Sequence, residues 1–155
     1  MKFKFSAIAF AILMCISLIV NAQTKHKPQS AAKKAPANSS TADASSILAG
    51  KKVFVQYCLS CHQADGAGVQ RLNPPLIKTP YVLGDKNKLI NIVLKGFSED
   101  VEINGEYYSN TMPAHDFLKD QEIADVLTYV RNSFGNKASA IKLAEVTSAR
   151  AAIKK

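Results

Sequence analysis

What this chain of 155 residues has little of narrows its chemistry before any motif is read. Cysteine occurs only as Cys15, Cys58 and Cys61, and histidine only as His26, His62 and His115. A structural zinc site needs four convergent ligands of these types, and donors this scattered do not supply them. Methionine is as scarce, at Met1, Met14 and Met112. Long apolar runs are missing too: residues 7–20 fall short of the ~18 that a membrane-spanning helix usually needs. Aromatic residues are absent from residues 23–46, where Ala, Ser, Lys and Pro dominate. Such a segment cannot bury enough apolar area to offset its ordering entropy, and it is expected to be a flexible tether.

A surplus of charge is likewise missing where it would matter. The formal net charge of +8 suggests nucleic acid or an anionic membrane until it is divided by segment. Residues 47–137 hold ten basic and ten acidic side chains, so the excess lies in the two ends of the chain. No nucleic-acid motif accompanies it, and no nucleic-acid partner is expected. Residues 138–155, with Lys142, Arg150, Lys154 and Lys155 against Glu145, read as a basic carboxyl-terminal extension, more often a solvated end than a binding site, and the sequence leaves open whether it docks on the domain. At the other end Lys2 and Lys4 precede the apolar run, and Asn21-Ala22-Gln23 follows it. These are the parts of a secretory signal peptide, residues 1–22, with cleavage expected after Ala22 and a periplasmic product. A retained signal would instead tether the protein to the membrane. A lipid-modified Cys15 is disfavoured because Met14 stands where a small residue is normal.

Against these absences stands Cys58-Leu59-Ser60-Cys61-His62. In the C-x-x-C-H spacing two thiols can bond the vinyl groups of one haem while the adjacent imidazole ligates its iron. A thioredoxin-like couple would want a β-α-β setting, which the helical pattern around the motif does not offer. One covalently attached haem c is the expected cofactor, held by Cys58, Cys61 and His62. What fills the other face of the iron decides between electron transfer and small-molecule chemistry. Once the signal is removed, Met112 is the remaining thioether, in a polar loop beside Pro113. It is the expected second metal ligand.

The pattern around the motif is mainly α. Ile47, Leu48, Phe54, Val55 and Tyr57 suit a helix over 46–57 capped by Ser45 or Ser46, and it leads into the motif. Pro74-Pro75 fixes an extended loop. Residues 85–96 predict a short helix with Leu89, Ile90, Val93 and Leu94 inward and Gly96 as its C-cap. Asn104-Gly105 within residues 101–108 predicts one β-hairpin. A final helix over 120–134 presents Ile123, Val126, Leu127 and Val130, with Gly135 past its end. A domain of this size is small for an independent core, and a covalent macrocycle would supply the missing apolar centre.

On these residues the chain resembles the class I, mitochondrial-type cytochrome c family over residues 47–137. The resemblance implies a small helical domain around one covalent haem, with Gly50, Phe54 and Tyr129 where the first and last helices pack. It implies that a loop proline, Pro74 or its neighbour Pro75, accepts the proton of the histidine ring, and that Leu76 covers the macrocycle. Residues 125–136 are similar to cytochrome c domains of bacterial respiratory dehydrogenases and oxidases. The implied partners are redox proteins, a dehydrogenase, an oxidase or a quinol-oxidising complex, with no small-molecule substrate. The competing classes are a peroxidase- or reductase-like enzyme and a haem-based ligand sensor. The enzyme would need a vacant or displaceable sixth position and His115 as its acid or base, and the sensor would need a displaceable Met112. Glu99, Asp100, Glu102 and Glu106 around the hairpin read as a solvated tip that could also orient a basic partner.

Overall fold

A computed structural model describes residues 42–153; the expected signal peptide, most of the expected tether, Lys154 and Lys155 lie outside the described residues. Helix α1, Ala44–Tyr57, begins two residues before the expected start, and its cap is Asp43, whose carboxylate accepts from the Ser46 N–H at 2.7 Å. An anionic cap suits the positive end of the helix. The Ser46 hydroxyl is used elsewhere, donating to the buried carboxylate of Asp125. Helix α2, Leu59–His62, continues almost directly and contains most of the C-x-x-C-H motif.

A loop then leads to α3, Pro80–Leu83, a single turn that the sequence pattern did not predict. Thr79 caps it through a bond from the Val82 N–H at 3.2 Å, and Pro80 occupies its first turn, where a missing N–H costs nothing. Helix α4, Lys86–Lys95, lies between the expected signals: Asp85 accepts from the Lys88 N–H at 2.6 Å, and Gly96 ends it at φ +76. The hairpin β1, Val101–Ile103, and β2, Glu106–Tyr108, pairs Val101 with Tyr108 and Ile103 with Glu106. Asn104 and Gly105 both have positive φ, as the tight turn between twisted strands demands.

Helix α5, Asp120–Arg131, stops three residues short of the expected end. Phe134 adopts φ +57 and swings its ring onto Phe54 and Tyr129, with centroids 5.4 and 5.6 Å away. The described part of the extension, residues 138–153, is not a free tail. Residues beyond 137 return along the domain and form α6, Leu143–Ile153, which packs on α4 and α5 and buries Val146 and Ala149, with Ile141 buried just before it. The described helices thus number six. Lys86 Nζ donates to Glu145 at 3.1 Å and to the Ala140 carbonyl at 2.6 Å, and Arg150 pairs with Asp120 at 2.6 Å, so part of the extension's charge is matched within the domain.

The apolar interior consists of two clusters. The larger gathers α1, α4, α5 and α6 around Phe54, Ile90, Ile123 and Val146. The smaller joins Val101, Ile103 and Tyr108 of the hairpin to Tyr81 and Phe97. Among the described residues no helix is long and apolar enough to cross a membrane.

Candidate functional site

Between the two clusters lies a cavity of about 260 Å³. Val82, Leu89, Val93, Val126, Leu127 and Val130 form one wall, and Val101, Ile103 and Tyr108 belong to the other. A domain this small leaves its apolar surfaces facing an internal space rather than each other, and that arrangement fits a flat apolar group. Cys58, Cys61, His62, Pro74, Leu76 and Met112 all line this one cavity.

The helical turn sets the motif. His62 N–H donates to the Cys58 carbonyl at 2.9 Å, so thiol and imidazole sit one turn apart. Neither thiol is in a disulfide; Cys58 is half-buried and Cys61 exposed. Burial, reinforced by the neighbouring Cys61, pushes the Cys58 thiol up to about 11. A dithiol redox couple needs the opposite, a lowered value that exposes thiolate at neutral pH.

His62 Nδ1 lies 3.0 Å from the Pro74 carbonyl. A carbonyl can only accept, so Nδ1 carries the proton and Nε2 keeps its lone pair available for a metal. Burial, the largest influence, lowers the imidazole pKa against the Pro74 bond, which raises it, and His115 adds to the lowering. The neutral ring that a metal requires therefore persists to lower pH.

Pro74 is held in turn by a tight loop. Gly68 N–H donates to the His62 carbonyl at 3.1 Å, Val69 N–H to the Asn73 carbonyl at 2.9 Å, and Leu76 N–H to the Gly66 carbonyl at 2.8 Å. At Gly68, φ +69, an added Cβ would stand 2.2 Å from the Asn73 carbonyl oxygen and 2.7 Å from that of Pro74. Gly68→Ala is therefore expected to displace the carbonyl that orients His62 and to cost about 2 kcal/mol or more, read from urea denaturation of the haem-loaded protein. An unchanged midpoint would show that the loop relaxes freely and that Gly68 does not fix Pro74.

Met112 enters from the loop after the hairpin. Its backbone pairs with Phe97 in both directions, N–H to carbonyl at 2.8 Å and carbonyl to N–H at 2.9 Å. Gly96 allows this approach, since a Cβ there would lie 2.6 Å from the Met112 carbonyl oxygen. His115 lines the same cavity, with Nδ1 bonded to the Pro113 carbonyl at 2.9 Å.

Two residues that hold the site together went unassigned in the sequence reading. Buried Asn136 donates to the carbonyls of Leu76 at 2.9 Å and Val130 at 2.8 Å, and accepts from the Lys78 N–H at 2.8 Å. It ties the proline loop to the end of α5. Arg131, only 3% exposed, donates to the carbonyls of Val82 at 2.5 Å and Ser139 at 2.9 Å. Nothing in the sequence marks Asn136, but Arg131 continues the four-residue spacing of Ile123 and Leu127 and so falls on the buried face.

Two thiols, an imidazole whose Nδ1 faces a carbonyl and a thioether line one apolar cavity, and these residues fit a c-type haem. Fold and site together define a small helical haem-carrying domain. The chain belongs to the cytochrome c family, whose profile matches residues 47–134, and the domain accordingly holds haem c covalently. It is 36% identical over 104 residues to the cytochrome c subunit of a quinone-type alcohol dehydrogenase from Gluconacetobacter polyoxogenes, covering 65% of this chain and 22% of that subunit. It is 38% identical over 94 residues to a gluconate 2-dehydrogenase cytochrome c subunit from Pantoea cypripedii, covering 59% and 21%. Cytochrome c-552 of Thermus thermophilus is 34% identical over 91 residues, covering 56% of this chain and 69% of that one. The chain thus spans about a fifth of the dehydrogenase subunits it matches.

Proposed function

We propose that this protein is a periplasmic single-haem electron carrier, free or as a subunit of a larger assembly, in which His62 and Met112 are the two axial ligands. The observation that carries the reading is that His62, with Nε2 free, and Met112 line one apolar cavity beside both thiols. Haem bound there supplies reversible one-electron exchange between ferrous and ferric iron.

The chain's own residues set how that exchange proceeds. Cys58 and Cys61 fix the macrocycle covalently. Pro74 orients the imidazole and strengthens it as a donor. The Met112 thioether is soft and favours the lower oxidation state, and the apolar walls, with Leu76 as cover, exclude water and press the same way. A site with both axial positions filled binds no substrate, which separates this reading from a peroxidase, a reductase or a ligand sensor. His115, bonded to the Pro113 carbonyl, then acts on nothing that reacts.

The cytochrome c subunits of alcohol and gluconate dehydrogenases among its relatives support a dehydrogenase as electron donor. Export rests on the basic start, short apolar run and small residues around Ala22, all outside the described residues. Haem-loaded ferrous protein is expected to ignore carbon monoxide, and ferric protein to show a sulfur-to-iron charge-transfer band that His115→Ala leaves in place. Rapid carbon monoxide binding by the unmodified protein would reject the carrier in favour of an enzyme or sensor.

A further inference from the structure

Residues 113–119 link Met112 to α5, and bonds from three directions pin this stretch. Phe97 brackets Met112 through the paired backbone bonds, and His115 N–H donates to the Val93 carbonyl of α4 at 2.8 Å. The third set comes from α6. Arg150 Nη1 donates to the Asp116 carbonyl at 2.7 Å and Nη2 to the Leu118 carbonyl at 2.6 Å. Its Nε donates to Asp120 Oδ1 at 2.6 Å, while Thr147, one turn earlier, donates to Oδ2 of the same carboxylate at 2.7 Å. All three guanidinium nitrogens are thus committed to the end of the Met112 loop and the first turn of α5. The Arg150 and Asp120 side chains are only 20% and 23% exposed, so water competes weakly for the bonds from Arg150 to Asp120 and to the Leu118 carbonyl, while the bonds to the Asp116 carbonyl and from Thr147 are exposed.

We propose that α6 is a brace for the ligand loop: Arg150, by holding the Asp116 and Leu118 carbonyls just beyond Met112, is a positioning residue that keeps the thioether on the metal. The inference rests on the ligand reading above. A planar fork that grips two carbonyls and a carboxylate fixes the path of the chain as well as its distance from α6. Removing it frees both carbonyls to bond water and leaves the loop held from the Phe97 and Val93 sides, so the loop can swing out without the domain unfolding.

The test follows two signals in the full-length haem-loaded protein during urea titration: the ferric sulfur-to-iron band and the far-ultraviolet helix signal. In the unmodified protein they are expected to vanish together. In Arg150→Ala the band should vanish at lower urea than the helices, and carbon monoxide should bind the ferrous form on the order of ten-fold faster, the factor that losing one charge-assisted hydrogen bond puts into an opening equilibrium. Arg150→Lys should fall between, because an ammonium cannot bridge the same acceptors. Lys86→Met is the control. It removes the bonds to Glu145 and the Ala140 carbonyl at the other end of the extension, and should lower stability while keeping the two signals together. If Arg150→Ala behaves like Lys86→Met in both readouts, the brace is refuted while the ligand reading stands. If the unmodified protein lacks the band, or Met112→Ala keeps it, the ligand reading fails and the brace falls with it.

Discussion

Met112→Ala is expected to convert a closed haem into an open one: the sulfur-to-iron band disappears, the ferrous form binds carbon monoxide, and the reduction potential falls. The drop should be on the order of 0.1 V or more, out of the ~0.8 V that axial ligation spans. The fold should survive. Met112 is only half-buried, and its backbone is held to Phe97 by bonds that the side chain does not make. The expected complication is His115, which lines the same cavity three residues away and could supply an imidazole to the vacated position. The variant would then be low-spin without the sulfur band. Met112→Ala combined with His115→Ala distinguishes the cases, since the double variant has neither donor and must bind carbon monoxide readily. A ferric spectrum unchanged by Met112→Ala alone would mean that the thioether is not a ligand.

The parts of this site that were legible in the sequence are those whose causes lie within a few residues of their effects. C-x-x-C-H is a single helical turn, Asp85 and Gly96 bracket α4 by capping, and Asn104-Gly105 closes the hairpin because both residues tolerate positive φ. Met112, singled out by elimination because Met1 and Met14 fall in the expected signal, lines the cavity. Contacts between residues far apart in the chain were not legible. Asn136 bonds Leu76 and Lys78 across 60 and 58 positions, and Arg131 reaches Val82 across 49. Such pairs leave no local period to read. Docking of the carboxyl-terminal extension was not legible for a related reason: among its described residues Ile141, Val146 and Ala149 are the buried apolar ones, too sparse a stripe to announce a docked helix, while Arg150 and Glu145 make polar bonds to the domain. Its positive charge looked like a solvated tail because the matching carboxylate of Asp120 and the backbone carbonyls lie elsewhere in the chain.

Gly50→Ala carries the largest expected cost to stability, and its sign runs against helix propensity. Gly50 sits inside α1, where alanine is ordinarily better than glycine by about 0.8–1.0 kcal/mol. Here the added Cβ would lie 2.0 Å from the Asp125 carbonyl oxygen, 2.5 Å from its carbon and 2.8 Å from the Tyr129 Cβ. The first two are backbone atoms inside α5 and cannot rotate away, so α1 as a whole must lift off. Lifting it pulls Ser46 from the Asp125 carboxylate and Phe54, 1% exposed, from the rings of Tyr129 and Phe134. It also moves the C-x-x-C-H turn, because α2 follows α1 almost without a break. Overpacking against a rigid backbone costs about 1–3 kcal/mol before such losses, and a net loss of ~3 kcal/mol is a large share of the ~5–15 kcal/mol that holds a typical domain. In a domain of this size that corresponds to a fall in Tm of roughly 12–24 °C. Gly105→Ala is the informative comparison: nothing lies within 4 Å of its added Cβ, so only the strain of φ +82 remains, about 1–2 kcal/mol. Thermal unfolding of the two haem-loaded variants should therefore separate steric from conformational need for glycine. A Gly50→Ala protein as stable as the unmodified one would mean that α1 and α5 do not cross at this contact.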